Sequence, residues 1–145
     1  MTNPALPAAL AVFDAINNRD LSELDQWIST EFVDHGSPFP LPPGPAGYWQ
    51  VLTFVTQVLK IRYAIEDIIE TDDRVVLRAT ARGIGVDAVH GPDTYRRPYE
   101  MATVHIYRTE GELLAEHWGV RDELAARIQL GVLAPPDLTA LSADG

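Results

Sequence analysis

The stretch Leu114-Ala115-Glu116-His117-Trp118-Gly119-Val120-Arg121-Asp122 indicates how the fold is built. Apolar and polar residues alternate along most of it, as they do in a strand with one buried face, and Asp122 is suited to cap a helix that follows. It also holds a histidine, a tryptophan and two carboxylates within seven residues. We therefore expect the last strand of a sheet to run into a last helix here, with chemical groups concentrated on the strand.

Three more segments upstream have the same strand-like character. Residues 62–70, 74–85 and 98–109 carry alternating β-branched and aromatic residues, and short turns separate them from each other and from residues 112–120. Consecutive strands joined by short connections pair as antiparallel neighbours. The pattern predicts four strands in meander order.

The first sixty residues have helical spacing instead. Apolar residues recur at three- and four-residue intervals in 4–18, in a shorter segment at 21–28 and in 46–59, which predicts three helices. Residues 31–35 are short and extended, and the five prolines between 36 and 47, beginning at Pro38, predict an irregular surface loop. The fold class predicted is α+β, with a strongly curved antiparallel sheet wrapped over three N-terminal helices, a short C-terminal helix and a pocket inside.

Composition limits the classes of function. At 145 residues the chain is expected to form a single domain over 1–145, with a poorly packed tail at 131–145. The net charge of −10 disfavours nucleic acid and anionic membranes as partners, and the first 18 residues lack the basic flank of a signal segment, so a cytoplasmic protein is expected. There is no cysteine, no metal-ligand spacing, no glycine-rich phosphate loop and no Gly-x-Ser-x-Gly motif. We expect neither a metal nor an organic cofactor.

The register of the last hairpin decides which side chains share a face. A two-residue turn at Glu110-Gly111 would place His105 and His117 on opposite faces. A three-residue loop at 109–111 would instead pair Arg108 with Glu112 and Thr103 with His117, and His105 would then lie diagonal to His117 on one face. We favour the second register because it sorts small, apolar and titratable groups onto the face toward the pocket: Met101, Thr103, His105, Tyr107, Leu113, Ala115, His117 and Gly119.

Several segments, in order, resemble the SnoaL-like polyketide cyclases. They are Phe13-Asp-Ala-Ile-Asn-Asn-Arg-Asp-Leu-Ser-Glu-Leu24, Phe32-Val-Asp-His35, Tyr63-Ala-Ile-Glu-Asp-Ile-Ile69, Asp73-Arg-Val-Val76 and Glu116-His-Trp118. The resemblance implies the nuclear transport factor 2-like fold, a curved sheet over three helices with a deep apolar pocket. It also implies an aldol ring closure with a pocket aspartate as acid and base, without metal or organic cofactor.

The resemblance assigns roles to particular residues of this sequence. The helper histidines of the family match His105 and His117, and the histidine of the Val-Asp-His motif matches His35. The catalytic aspartate of the family matches Gly119, so the usual His-Trp-Asp is here His-Trp-Gly. The acid/base group that the family mechanism needs is therefore missing from its usual position.

Chemistry at this site needs a base and a donor for a developing oxyanion. His105 and His117 are the candidate catalytic residues because imidazole titrates near neutrality; alternatively, both only shape the pocket wall. Asp34, Glu66 and Asp67 are minor candidates, Asp122 is expected to cap a helix and His90 to lie in an exposed loop. The candidates for substrate binding are His35, Trp49, Tyr63, Tyr99, Met101, Thr103, Tyr107 and Gly119.

Two functions follow. The first is a cofactor-independent cyclase or isomerase of a mostly apolar, carbonyl-bearing natural product, acting through the histidines or by holding reactive ends together, even for a cycloaddition. The second is a non-catalytic binding or accessory protein that retains the pocket.

The opposite face of the last hairpin leads to a prediction about assembly. It is expected to collect Val104, Ile106, Leu114, Trp118 and Val120, an apolar surface that is unusually large for a monomer. We expect a homodimer that buries this face. Light scattering at micromolar protein concentration should give twice the mass of the chain, and a monomer would contradict the prediction.

Overall fold

A computed structural model describes residues 2–37 and 40–142 of the chain. Within these residues the architecture is α+β, as predicted. The helices are α1 (Leu6–Asn18), α2 (Pro45–Thr53), α3 (Asp87–His90) and α4 (Glu123–Gln129), and the strands are β1 (Ile28–Asp34), β2 (Arg62–Glu70), β3 (Arg74–Ile84), β4 (Pro98–Glu110) and β5 (Leu113–Arg121). Leu24–Trp27 and Leu138–Ser142 form short 3₁₀ helices.

The predicted helices differ from the observed ones in detail. The second is only the 3₁₀ turn at Leu24–Trp27, and the third is split into α2 and a π-helical segment, Phe54–Val58. Helix α3 was not predicted, since its four residues are too few for a periodic pattern. Asp122 caps α4 as expected, accepting a hydrogen bond of 3.0 Å from the backbone N–H of Ala125. Pro38 of the predicted loop and residues 143–145 of the predicted tail lie outside the described residues.

The sheet has five strands in the order β1-β5-β4-β3-β2. Strands β2 to β5 form the predicted antiparallel meander, and β1 adds to its edge in parallel with β5, so that Asp34 becomes the neighbour of His117. The sequence predicted an extended segment at 31–35 but not its pairing with β5, because a parallel pairing between distant strands leaves no local signal.

The predicted register of the last hairpin is wrong. The loop is Gly111-Glu112, with Gly111 in the left-handed region, and a bulge between Arg108 and Thr109 shifts the pairing beyond it. Thr103 pairs with Arg121 rather than with His117, four positions further along β5 than predicted. Because four is an even number, each side chain beyond the bulge keeps its face. His105 and His117 therefore share the buried face, as predicted.

The residues between the bulge and the turn are the exception. Leu113, predicted to face the pocket, is exposed, while Leu114, predicted on the outer face, is fully buried in the core. The bulge adds one residue to β5, which reverses the alternation on its turn side.

The helices cover the inner face of the sheet. Alternate residues of β3 and β4 are buried there against α1 and α2, and the core includes Phe13, Phe32, Leu77 and Tyr107. No helix among the described residues is long and apolar enough to cross a membrane. Because alternate residues of each strand point to the same side, their side chains form a row across the inner face of the sheet, and the site is built on this row.

Candidate functional site

A chain of hydrogen bonds crosses the inner face of the sheet from β1 to β3. His117 Nδ1 lies 2.7 Å from Asp34 Oδ1, and His117 Nε2 lies 3.0 Å from His105 Nδ1. His105 Nε2 lies 3.1 Å from the hydroxyl of Thr103, which in turn lies 2.8 Å from the carbonyl oxygen of Ala79. We call Asp34, His117, His105 and Thr103 the polar chain.

The strand pairing explains why these groups meet. Asp34 and His117 are direct neighbours across the β1–β5 pair, and His105 is diagonal to His117 because it pairs with Gly119. The two imidazole rings stack with their centroids 5.2 Å apart. They therefore contact each other and leave no gap in which a substrate could be gripped from two sides.

Burial sets the charges of the polar chain. It lowers the pKa of His105 well below 6.5, together with the nearby charges of His117 and Arg121. Burial also lowers the pKa of His117, although the hydrogen bond with Asp34 opposes this shift. Burial alone would raise the pKa of Asp34, but bonds from His117 and Gly36 and the charges of His117 and Arg121 hold it below its usual value. Near neutral pH, Asp34 is thus ionised and both imidazoles are neutral.

These charges fix the direction of the hydrogen bonds. An ionised carboxylate only accepts, so His117 Nδ1 carries a proton and donates it to Asp34. His117 Nε2 then accepts from His105 Nδ1, which leaves His105 Nε2 as a lone pair facing the Thr103 hydroxyl. That hydroxyl has one proton and two acceptors in reach, His105 Nε2 and the Ala79 carbonyl oxygen. The chain therefore ends in an unprotonated nitrogen whose partner has an alternative acceptor.

A cavity of about 400 Å³ opens between the sheet and the helices. Its wall is mainly apolar, and its polar groups include Arg121, Glu123 and Arg127. A much smaller space lies beside His105 and His117. The residues that border both spaces are Val51, Val55, Tyr63 and Arg121. The polar chain therefore lies next to the inner end of the cavity.

Six of the eight predicted substrate-binding residues lie at the cavity, beside the two histidines or in the polar chain. Tyr63, Tyr99 and Met101 line the cavity, and burial raises the pKa of Tyr99 to about 12, so its hydroxyl stays protonated. Tyr107 borders the smaller space, and its hydroxyl lies 2.6 Å from that of Tyr48. Thr103 belongs to the polar chain. Gly119 pairs with His105, and a Cβ atom on it would lie 3.0 Å from Cε1 of His117.

Two expected pocket residues lie elsewhere. His35 does not line the pocket mouth; its Nε2 lies 3.0 Å from Glu116 Oε1, and its ring stacks on Trp118 at 5.0 Å on the outer face of the sheet. Trp49 is partly buried against the hydrophobic core and is absent from the lining of the cavity. Consecutive strand residues face opposite sides, so the neighbour of the inward-facing Asp34 points outward.

His90 was expected in an exposed loop, but it is buried and lines the cavity. Its Nδ1 accepts a hydrogen bond of 2.9 Å from the backbone N–H of Val86, and its ring meets that of Tyr99 edge to face. The ring proton is therefore on Nε2 when the imidazole is neutral. Helix α3, which was not predicted, turns this side chain inward.

Arg121 was not predicted as a site residue, and Asp34 was predicted only as a minor candidate. Arg121 follows His117 and Gly119 at two-residue spacing on β5, so strand alternation alone could have placed it on the inner face. Asp34 has no such signal, because its position depends on the parallel pairing of β1 with β5. Among the described residues, no group of three or more His, Asp or Glu side chains could hold a metal ion.

Comparisons with known proteins agree with this fold. The model of the SnoaL-like polyketide cyclase family matches residues 8–130. IdmH from Streptomyces antibioticus, a proposed polyketide cyclase, is 28% identical, with a TM-score of 0.75 over 89% of this chain and 99% of that chain. No significant match was found among curated protein sequences.

Two more distant structures support the fold alone. AclR from Streptomyces galilaeus, a proposed hydroxylase, is 20% identical, with a TM-score of 0.77 over 94% of this chain and 91% of that chain. A SnoaL-like polyketide cyclase from Agrobacterium tumefaciens is 21% identical, with a TM-score of 0.73 over 90% of this chain and 100% of that chain. The expected nuclear transport factor 2-like fold is confirmed.

The lowered histidine pKa values predict a pH dependence of stability. The unfolded chain takes up protons on His105 and His117 at a higher pH than the folded protein does, so stability is lost as the pH falls below about 6.5. We expect the free energy of unfolding to be lower at pH 5 than at pH 7, by about 2 kcal/mol for each histidine that stays neutral in the fold over this range. Urea denaturation at both pH values measures it. His105→Gln should reduce the drop, and equal stability at the two pH values would contradict the prediction.

Proposed function

The chain belongs to the SnoaL-like polyketide cyclase family, and we propose that it is a cofactor-independent cyclase or isomerase of a mostly apolar, carbonyl-bearing natural product of polyketide type. One observation supports this proposal above the others. An apolar cavity of about 400 Å³ shares its inner wall with the space beside His105 and His117. A folded substrate in the cavity would thus be separated from the polar chain only by the side chains that border both spaces.

His105 is the proposed base. When the Thr103 hydroxyl donates to the Ala79 carbonyl, the lone pair on His105 Nε2 is free to take a proton from a carbon next to a carbonyl. The resulting positive charge is shared through His117 with Asp34, which is already ionised. Asp34, the aspartate of the Val-Asp-His segment, thus serves as the negative partner of His117 in place of the missing acid at position 119.

The cavity can also promote ring closure without proton transfer. Its apolar wall holds a flexible chain in a folded shape, and the entropy that this removes is a substantial part of a cyclisation barrier. A cycloaddition needs nothing more from the protein. In this version of the proposal, substitutions that change the shape of the cavity lower the rate of cyclisation more than removal of the histidines does.

Assembly and location complete the proposal. The outer face of the sheet exposes Val104 and Val120, the latter by 71%, beside Trp118, and charge pairs such as Arg82–Glu100 surround them. This apolar strip supports a homodimer through the outer face. We also propose a cytoplasmic protein that acts on a small molecule, within antibiotic biosynthesis.

A second function has its own support, namely a non-catalytic binding or accessory protein. All four ring nitrogens of His105 and His117 already have hydrogen-bond partners within the protein, and Gly119 supplies no acid. Such a site can hold a ligand without reacting with it.

Removal of the histidines tests the proton-transfer mechanism. The double variant His105→Ala, His117→Ala should lower kcat for cyclisation of linear polyketide-type substrates by about 100-fold or more, because general acid–base catalysis contributes at least that much. Liquid chromatography with mass detection follows the product. His35→Ala is the matched control, since its imidazole lies on the outer face, and it should keep normal turnover. Unchanged turnover in the double variant would reject proton transfer by these residues.

A variant with an aspartate restored at position 119 distinguishes the proposed enzyme from the proposed accessory protein. If the chain is a lapsed cyclase, Gly119→Asp should gain aldol cyclisation that the wild type lacks, since the new carboxylate would lie beside the His117 ring. Gly119→Asn has the same size without the charge and should gain nothing. If the wild type already turns over substrate and Gly119→Asp does not increase the rate, the accessory function is contradicted.

A further inference from the structure

We propose that Arg121 anchors a carboxylate group of the substrate where the cavity borders the smaller space beside the histidines. The inference rests on the proposed function only in taking the cavity as the substrate site. It adds a charged group to a substrate that was otherwise described as mostly apolar.

The first support is the position of Arg121. It follows His117 and Gly119 on the inner face of β5, and it borders both the cavity and the smaller space beside the histidines. Arg127, the other arginine in the cavity wall, does not border that smaller space. The charge of Arg121 contributes to the pKa shifts of both Asp34 and His105, which places it within electrostatic reach of the polar chain.

The second support is the lack of an anionic partner. Arg121 Nη1 donates to the carbonyl oxygen of Gly36 at 3.0 Å and the guanidinium also hydrogen-bonds the side chain of Tyr63, but within residues 2–37 and 40–142 it forms no ion pair. Asp34 is not the missing anionic partner of Arg121, since its Oδ2 atom is buried without a hydrogen-bond partner among the described residues. A half-buried guanidinium with unused N–H donors favours an anion that can accept them.

The third support is the glycine beside the guanidinium. A Cβ atom placed on Gly119 would lie 3.6 Å from Arg121 Nη2 and only 3.0 Å from His117 Cε1, so a side chain here would crowd both groups. Glycine therefore leaves the N–H groups of Arg121 without a competing side chain at this position. Because Arg121 borders both the cavity and the smaller space beside the histidines, a carboxylate that it binds would hold the rest of the substrate close to the polar chain.

The surroundings select a single negative charge. A planar guanidinium matches the two oxygens of a carboxylate, and most of the remaining cavity wall is apolar. Glu123 also lines the cavity, and it would repel a second anionic group nearby. The substrate class is therefore an apolar monocarboxylic acid, such as a linear polyketide released as its free acid.

A pair of probes of equal shape tests the inference. Isothermal titration calorimetry at pH 7.5 compares 1-naphthylacetate with the uncharged 1-naphthylacetamide. We expect the wild type to bind the acid about tenfold more tightly, since a hydrogen bond to a charged group contributes about 1.5 kcal/mol or more. Arg121→Gln should lose this preference while it still binds the amide. Gly119→Asp should lose it too, because the new carboxylate would pair with Arg121.

Arg78→Gln is the matched control. Arg78 lies on the outer face and pairs with Asp67 at 2.6 Å, so the preference for the acid should persist. Equal affinity for the two probes, a preference that survives Arg121→Gln, loss of the preference only in Arg127→Gln, or no binding of either probe would each overturn the inference. An Arg121-dependent preference without any cyclisation activity would keep the inference and reject the proposed enzyme.

Discussion

The hydrogen bond between Asp34 and His117 is the interaction on which the rest of the site depends. Both side chains are almost fully buried, with 1% and 2% of their surface exposed, so an ionised Asp34 needs a donor from within the protein. The bond exists only because β1 pairs in parallel with β5. It fixes the tautomer of His117, hence the direction of the bond to His105, and hence the free lone pair at the far end of the polar chain. A change in the β1–β5 register would alter all of these at once.

Much of the fold could be predicted from the sequence because its signals are local. Helical spacing and strand alternation located α1, α2 and the antiparallel strands, and alternation placed His105 and His117 on one face. The bulge at Arg108–Thr109 could not be predicted, since it depends on how two strands fit and not on the residues of one. The same limit applies to Asp34, whose partner lies 83 residues away in sequence. Arg121 is a different case, because its two-residue spacing from Gly119 and His117 already indicates the inner face and was not used.

Asp34 and Arg121 meet at one residue. The backbone N–H of Gly36 donates to Asp34 at 2.8 Å, and the carbonyl oxygen of Gly36 accepts a hydrogen bond of 3.0 Å from Arg121. The positive charge of Arg121 therefore helps to hold the pKa of Asp34 below its usual value, so that the carboxylate that orients His117 stays ionised. Glycine at position 119 adds no second negative charge beside the His117 ring.

The π-helical segment Phe54–Val58 sets one wall of the cavity. Its wider turn is closed by a hydrogen bond of 3.0 Å from the Leu59 N–H to the Phe54 carbonyl oxygen, and Phe54, Val55 and Leu59 all face the cavity. A single residue gained or lost in a helix turns the side chains beyond it by about 100°. A one-residue deletion here would therefore change which side chains meet the ligand and leave the sheet untouched. Within this architecture, small changes in helix length can alter the shape of the cavity while the strands that carry His105 and His117 are inherited unchanged.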